Sequence, residues 1–218
     1  MVRIPVVSIL ILLGSFCVFA QQSFNMRMLA NLNEHFNDGF YSAVWGYTAP
    51  DGREYAILGC NAGTSFVDIN DTNNIREVDY VPALHSCCRE MKTYSHYAYI
   101  VGDQTPNGVQ IVDLQYLPDS VSLVNTFFFP GFTAGHTIQV ESPAKPYLYI
   151  SAGNYLIGGL FVLDLSQNPE QPIKRGEWEL QVVHDCRVIN DTIYACNIYN
   201  PPGTISVIDA TNKDNLVR

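Results

Sequence analysis

Charge is scarce in this chain, and basic charge scarcer still. Of 218 residues, 15% are charged, with 12 lysines and arginines against 21 aspartates and glutamates, for a formal net charge of −9. No run of basic residues offsets that balance. An acidic surface repels phosphate backbones and anionic lipids, which argues against nucleic acid as a partner. Catalytic signatures are missing too: there is no GxSxG, no HExxH and no phosphate-cradling glycine loop. No CxxC spacing points to zinc. Beyond the first twenty residues, no apolar run is long enough to cross a bilayer. What remains is 47% hydrophobic and 12% aromatic, which excludes a disordered chain and supplies a real core.

Residues 1–20, MVRIPVVSILILLGSFCVFA, are a different kind of polymer. One arginine precedes an apolar stretch, and Val18 and Ala20 stand at the −3 and −1 positions of a cleavage site. The segment reads as a secretory signal peptide, leaving 21–218 as the mature, secreted domain with no membrane span. That compartment permits disulfides, and five cysteines remain. Cys60 with Cys88, and Cys186 with Cys196, are the candidate pairs. A vicinal bridge between Cys87 and Cys88 is a further arrangement.

One apolar phrase is written four times: GTSFVD (63–68), GVQIVD (108–113), GLFVLD (159–164) and TISVID (204–209). A second β-rich run precedes each of them: YAIL (55–58), YAYI (97–100), YLYI (147–150) and TIYA (192–195). Before that lies a third, AVWGYT (43–48), EMKTY (90–94), HTIQVE (136–141) and HDCRVI (184–189). A fourth follows each aspartate, in IREVDYV (75–81), SVSLVNTFFF (120–129), IKRGEWEL (173–180) and the stub NLVR (215–218). β-branched and aromatic residues fit a pleated, half-buried surface, and the clusters between runs supply turns. Asp68, Asp113, Asp164 and Asp209 are spaced 45, 51 and 45 residues apart. Four strands at that period predict an all-β propeller of four-stranded antiparallel blades, about four of them, the last incomplete. Each aspartate is expected to cap the turn after it by accepting from its own backbone.

The phrase VxIVD in GVQIVDL is similar to the LVIVD repeat, and YSAVWGYTAPDGREYAILGCNAGTSFVDI (41–69) resembles the first blade of the secreted bacterial proteins called choice-of-anchor B. GHTIQV and VHDCRVINDTIYAC fit later blades of that family, and the resemblance runs from about Met26 to the end. SCCREM (86–91) departs from it, with Cys88 where the family tends to carry tryptophan beside the arginine. The resemblance implies a propeller of unassigned biochemical activity, tied to the cell surface by a C-terminal device. That anchor would lie beyond Arg218, where the chain stops inside a fourth strand and reads as a fragment. NMRMLANLNEH (25–35) reads as one strand ahead of the first blade.

Aligning the innermost strands puts Arg89, His136 and His184 at equivalent places, followed by Glu90, Thr137 and Asp185. In a propeller that strand lines the central channel, whose entrance is a common ligand position. Arg89, Glu90, His136, His184 and Asp185 are therefore the candidate ligand-binding residues. His136 and His184 would take a divalent transition metal, since imidazole suits zinc, copper, nickel or iron better than calcium. The alternative is that each side chain ties its own strand to a neighbouring loop. Loop tyrosines Tyr116, Tyr155 and Tyr199 are candidates for stacking on sugars, while His35, His85 and His96 read as solvent-facing. Two functions follow: a binding module for an extracellular protein or carbohydrate, or a metal-assisted hydrolase or lyase at the channel mouth.

Overall fold

The computed structural model describes residues 25–151, 158–198 and 202–218. Its strands fall into four antiparallel sheets in which consecutive strands pair. Blade 1 is β1 (Tyr41–Thr48), β2 (Glu54–Cys60), β3 (Gly63–Asp68) and β4 (Arg76–Pro82). Blade 2 is β5 (Arg89–Tyr94), β6 (Tyr97–Gly102), β7 (Val109–Asp113) and β8 (Ser122–Phe127). Blade 3 is β9 (Thr137–Ser142), β10 (Lys145–Ser151), β11 (Leu160–Asp164) and β12 (Ile173–Trp178). The last sheet has three strands, β13 (Asp185–Ile189), β14 (Thr192–Asn197) and β15 (Thr204–Asp209). This is a β-propeller, with innermost strands β1, β5, β9 and β13 packed in succession. The signal-peptide segment, Tyr155 and Tyr199 lie outside the described residues. Among the described residues no helix is long and apolar enough to cross a membrane.

Alternation along the middle strands builds the core. Ala98 and Ile100 of β6 face blade 1, where they meet Tyr47, Ile57 and Phe66. Tyr99 and Val101 of the same strand face blade 3, where they meet Ile138, Leu148 and Phe161. Tyr149, Leu160 and Val162 of blade 3 turn the other way, onto Val188, Ile193 and Ile208 of the last sheet. In blades 2 and 3 a third strand covered on both faces has no solvent side, so its phrase is mostly apolar and the polar exceptions, such as Gln110, are buried.

Its two end residues have separate causes. The backbone N–H two residues beyond each aspartate donates to the carboxylate: Asn70 to Asp68 at 3.0 Å, Gln115 to Asp113 at 2.9 Å, Ser166 to Asp164 at 2.9 Å and Thr211 to Asp209 at 2.8 Å. The same side-chain turn thus ends the third strand four times, as the spacing predicts. At the other end, a Cβ on Gly63, Gly108 or Gly159 would stand 2.5, 2.9 or 1.9 Å from the carbonyl oxygen of Val81, Phe127 or Trp178 on the fourth strand. In the three-stranded sheet the equivalent position is Thr204, and a Cβ on Gly203 just ahead of β15 would meet nothing within 4 Å. The glycine is there to let the fourth strand close in. Gly159→Ala should therefore force β12 off β11 and cost at least about 1–3 kcal/mol, the scale of an overpacked core. Gly203 is no matched control, because its backbone is left-handed (φ 90°). Chemical denaturation of Gly159→Ala reads the cost directly, and an unchanged midpoint would refute the steric reading.

Several sequence expectations need correction. Residues 26–33 form no strand. Asn33 and His35 instead dock on blade 1: Tyr41 Oη donates to Asn33 Oδ1 at 3.0 Å, His35 Nε2 lies 2.6 Å from Glu77, and its ring stacks on Tyr80 at 4.1 Å. His35 is thus half-buried rather than solvent-facing. Burial opposes its charge, but Glu77 and Asp38 outweigh burial and hold its pKa above the ordinary histidine value. Of the stub 215–218, only Val217 bridges to β15, through Asp209.

The cysteine pairs are not formed either: all five described cysteines are thiols. Asn190 and Asp191, both left-handed (φ 50° and 61°), make a two-residue hairpin turn that pairs Ile189 with Thr192. That register sets Cys186 opposite Ala195 and Cys196 opposite Asp185, so the two thiols point to opposite faces. Cys60 is buried, its Sγ donating to Leu58 O, and Cys88 Sγ faces Cys87 instead.

Candidate ligand site at the head of the inner strands

The inner strands are in the register that the sequence implies. Glu90 pairs with Val101, Thr137 with Ser151 and Asp185 with Cys196, so Arg89, His136 and His184 stand one step earlier on successive blades. All four inner strands meet there around a recess of about 230 Å³. Ser42 and Ala43 line it from β1, Arg89 and Glu90 from β5, His136 and Thr137 from the head of β9, and Asp185 from β13.

The five predicted residues do not share one role. Arg89 is 1% exposed and its guanidinium is turned away into blade 1. Nε donates to Cys60 O at 3.1 Å, and Nη2 donates to Leu84 O at 2.7 Å and Asn61 O at 3.4 Å. Burial lowers its pKa. It acts as a strut between blades, which is the structural alternative raised by the sequence. Glu90 is also partly committed: Oε2 accepts the Ile138 N–H at 3.1 Å, and Oε1 accepts from Lys92 Nζ at 2.5 Å. Lys92 in turn lies over the Trp45 ring at 4.5 Å.

His136 and His184 do converge. Their Nε2 atoms lie 2.9 Å apart, and His136 Nδ1 lies 3.0 Å from Asp103 Oδ2. A carboxylate on Nδ1 fixes the tautomer and turns the Nε2 lone pair toward His184. Burial, and then the adjacent His136, hold the His184 imidazole below the ordinary histidine pKa. Thr137 Oγ1 donates to His184 O at 3.1 Å, tying β9 to β13. Asp185 is exposed and lines this recess and a neighbouring one of about 410 Å³. The loop tyrosine Tyr116 is 53% exposed and far along the chain from these residues.

Asp103 was not anticipated. It follows β6 directly, where the other blades have Asn61, Gly153 and Ile198 in the same register. It is thus the one carboxylate in that row, and comparing the repeats position by position would have exposed it. Around it lie Ser86 Oγ at 3.0 Å from Oδ1 and Cys87 Sγ at 3.5 Å. Burial and contact with Cys87 push the Cys88 thiol up to about 12.

No known protein family matches the sequence, and no curated protein does. Among solved structures, a candidate 6-phosphogluconolactonase from Bacteroides uniformis is similar, with TM-score 0.50 and 13% identity over 79% of this chain and 54% of that one. A second, from Bacteroides fragilis, has TM-score 0.47 and 14% identity over 81% of this chain and 55% of that one. The chain spans about half the length of both. At this identity the first likeness bears on fold alone.

Proposed function

We propose that this chain is propeller from a secreted, surface-attached protein of the choice-of-anchor B type, and that it works as a binding module with its ligand in the recess at the head of the inner strands. The carrying observation is convergence: one recess is lined from all four blades, while blades 2 and 3 behind it are locked by cores on both faces. A rigid scaffold presenting polar groups suits recognition. Glu90, Asp185 and the nearby Asp103 make the surroundings acidic, and Arg89 spends its charge on backbone carbonyls. That balance disfavours an anionic sugar phosphate, so the name of the structural neighbour does not transfer on chemistry. It favours a cationic or hydroxyl-rich group, such as a basic side chain of an extracellular protein or a neutral sugar.

The 2.9 Å imidazole pair backed by Asp103 favours a second reading, metal-assisted hydrolysis or elimination. Two neutral imidazoles would hold a zinc-like ion and leave positions for water and substrate. Titration calorimetry on the full chain separates the two readings. Under the leading one, a lysine-rich peptide or a neutral oligosaccharide binds, Asp185→Asn weakens the peptide about tenfold, and His184→Ala changes no metal content. Under the second, the purified protein carries a zinc ion that His184→Ala removes. Neither ligand nor metal binding would dismiss the site altogether.

A further inference from the structure

Residues 86–88 break the alternation of an extended chain. Successive side chains of a strand point to opposite faces, yet Cys87 Sγ and Cys88 Sγ lie 3.2 Å apart on one side. A small turn enforces this: the Cys88 N–H donates to Ser86 Oγ at 3.3 Å, and Ser86 Oγ lies 2.9 Å from Cys88 O. The Asp103 N–H donates to Cys88 O at 3.2 Å, clamping this turn against the end of β6. Both thiols and the Asp103 carboxylate come within 4.8 Å of one another as a result.

Asp103 supplies a second, independent observation. It is 8% exposed, and no lysine or arginine pairs with it among the described residues. Its partners are the Ser86 hydroxyl, the Cys87 thiol and the His136 imidazole. A buried carboxylate without a fixed cation is a standing demand for one. From this geometry we infer that Cys87, Cys88 and Asp103 form a binding site for a soft divalent cation of the zinc type, with His136 at its open side. This site is separate from the Nε2 pair of His136 and His184, and it stands whether or not the recess binds a ligand.

Two sulfurs, one carboxylate oxygen and a neighbouring imidazole are a donor set for zinc and exclude calcium or magnesium, which require oxygen. Zinc–sulfur bonds of about 2.3 Å at the tetrahedral angle set two sulfurs about 3.8 Å apart. The thiols would need to part by roughly 0.6 Å to take the ion. A covalent bridge, at about 2.0 Å, would require them to approach by roughly twice that. Each bound thiol loses its proton to solvent, so uptake releases up to two protons per ion and needs no oxidant.

Cobalt(II) reports the site because thiolate ligands give it a charge-transfer absorption that imidazole and carboxylate do not. The reduced full chain should bind one cobalt ion with that absorption, lose it to added zinc, and shield two of its five mature-chain thiols from a thiol reagent. Cys87→Ser/Cys88→Ser should abolish the absorption, and Asp103→Asn should weaken binding about tenfold or more. A variant with Cys60, Cys186 and Cys196 all changed to serine should keep it, as should His184→Ala. Circular dichroism confirms that each variant is folded. Absence of the absorption in the unaltered chain, or its survival in Cys87→Ser/Cys88→Ser, overturns the assignment.

Discussion

Arg89→Ala should destabilise the protein by about 4 kcal/mol while leaving any ligand affinity of the still-folded fraction unchanged. The guanidinium serves carbonyls from two places, Cys60 O and Asn61 O at the end of β2 and Leu84 O before β5. Each bond to a charged group contributes roughly 1.5–3 kcal/mol, and a buried acceptor left alone costs as much again unless water reaches it. Partial rewetting of the exposed Leu84 loop keeps the total near the lower bound of that sum. Arg89→Lys should recover only part, because an ammonium cannot reach both sides of the fork. Urea melts read this as a lower midpoint at unchanged slope. A cost under about 1 kcal/mol would show that the residue is not a strut, and would return it to the list of ligand-binding groups.

Lys213→Ala should cost about 3 kcal/mol at neutral pH, and the cost should shrink in acid. Lys213 is 6% exposed, and its Nζ lies 2.5 Å from Asp191 and 3.4 Å from Glu141, which is itself 3% exposed at the side chain. Ala210 O accepts from the same Nζ at 2.8 Å. Removing the cation leaves two carboxylates facing each other between blade 3 and the last sheet. Lys145, 3.4 Å from Glu141 and 2.5 Å from Asp191, softens the loss. Hydrogen bonds from Lys145 and then Lys213 hold the Asp191 carboxyl below its ordinary pKa. A folded pKa below the unfolded value means stability that is fully present above about pH 4 and lost as pH falls through the folded value. Thermal melts of both proteins at about pH 7 and about pH 3 should therefore differ less at the lower pH. An undiminished difference in acid would mean that the lysine acts through packing on Tyr147 and Tyr149, over whose rings it also lies.

The blades were legible because each layer of information repeats. A strand sandwiched between two neighbours must be apolar on both faces, the residue before it must be small where a fourth strand closes in, and the turn after it needs an acceptor. Gly63, Phe66, Val67 and Asp68 satisfy all of these within one short phrase, and the later blades restate it. Side-chain direction at the channel was less legible. Arg89 shares its register with His136 and His184, yet its guanidinium turns to the carbonyls of Cys60, Asn61 and Leu84, which no spacing announces. The Cys186–Cys196 pairing failed on parity: a two-residue turn centred on Asn190 and Asp191 offsets those residues by one, and the hairpin arithmetic was already in the sequence. The N-terminal stretch looked like a strand by composition, but no sheet edge accepts it, and His35 binds the flat face of blade 1 instead.

Among the described residues the core is divided into three compartments, set one after another along the order of the blades. Tyr47 and Phe66 belong to the first, Val109 and Phe161 to the second, Ile193 and Ile208 to the third. Blades 2 and 3 each own a wall of two compartments, so information about a defect can travel only along the order of the blades. Substitutions in the first and third compartments share no neighbours and combine by simple addition, whereas two in adjoining compartments are coupled through the blade between them. In evolutionary terms this loosens the sequence: one interface can drift while the next is held. The loops at the head of the inner strands then diversify on a frame whose parts fail one at a time.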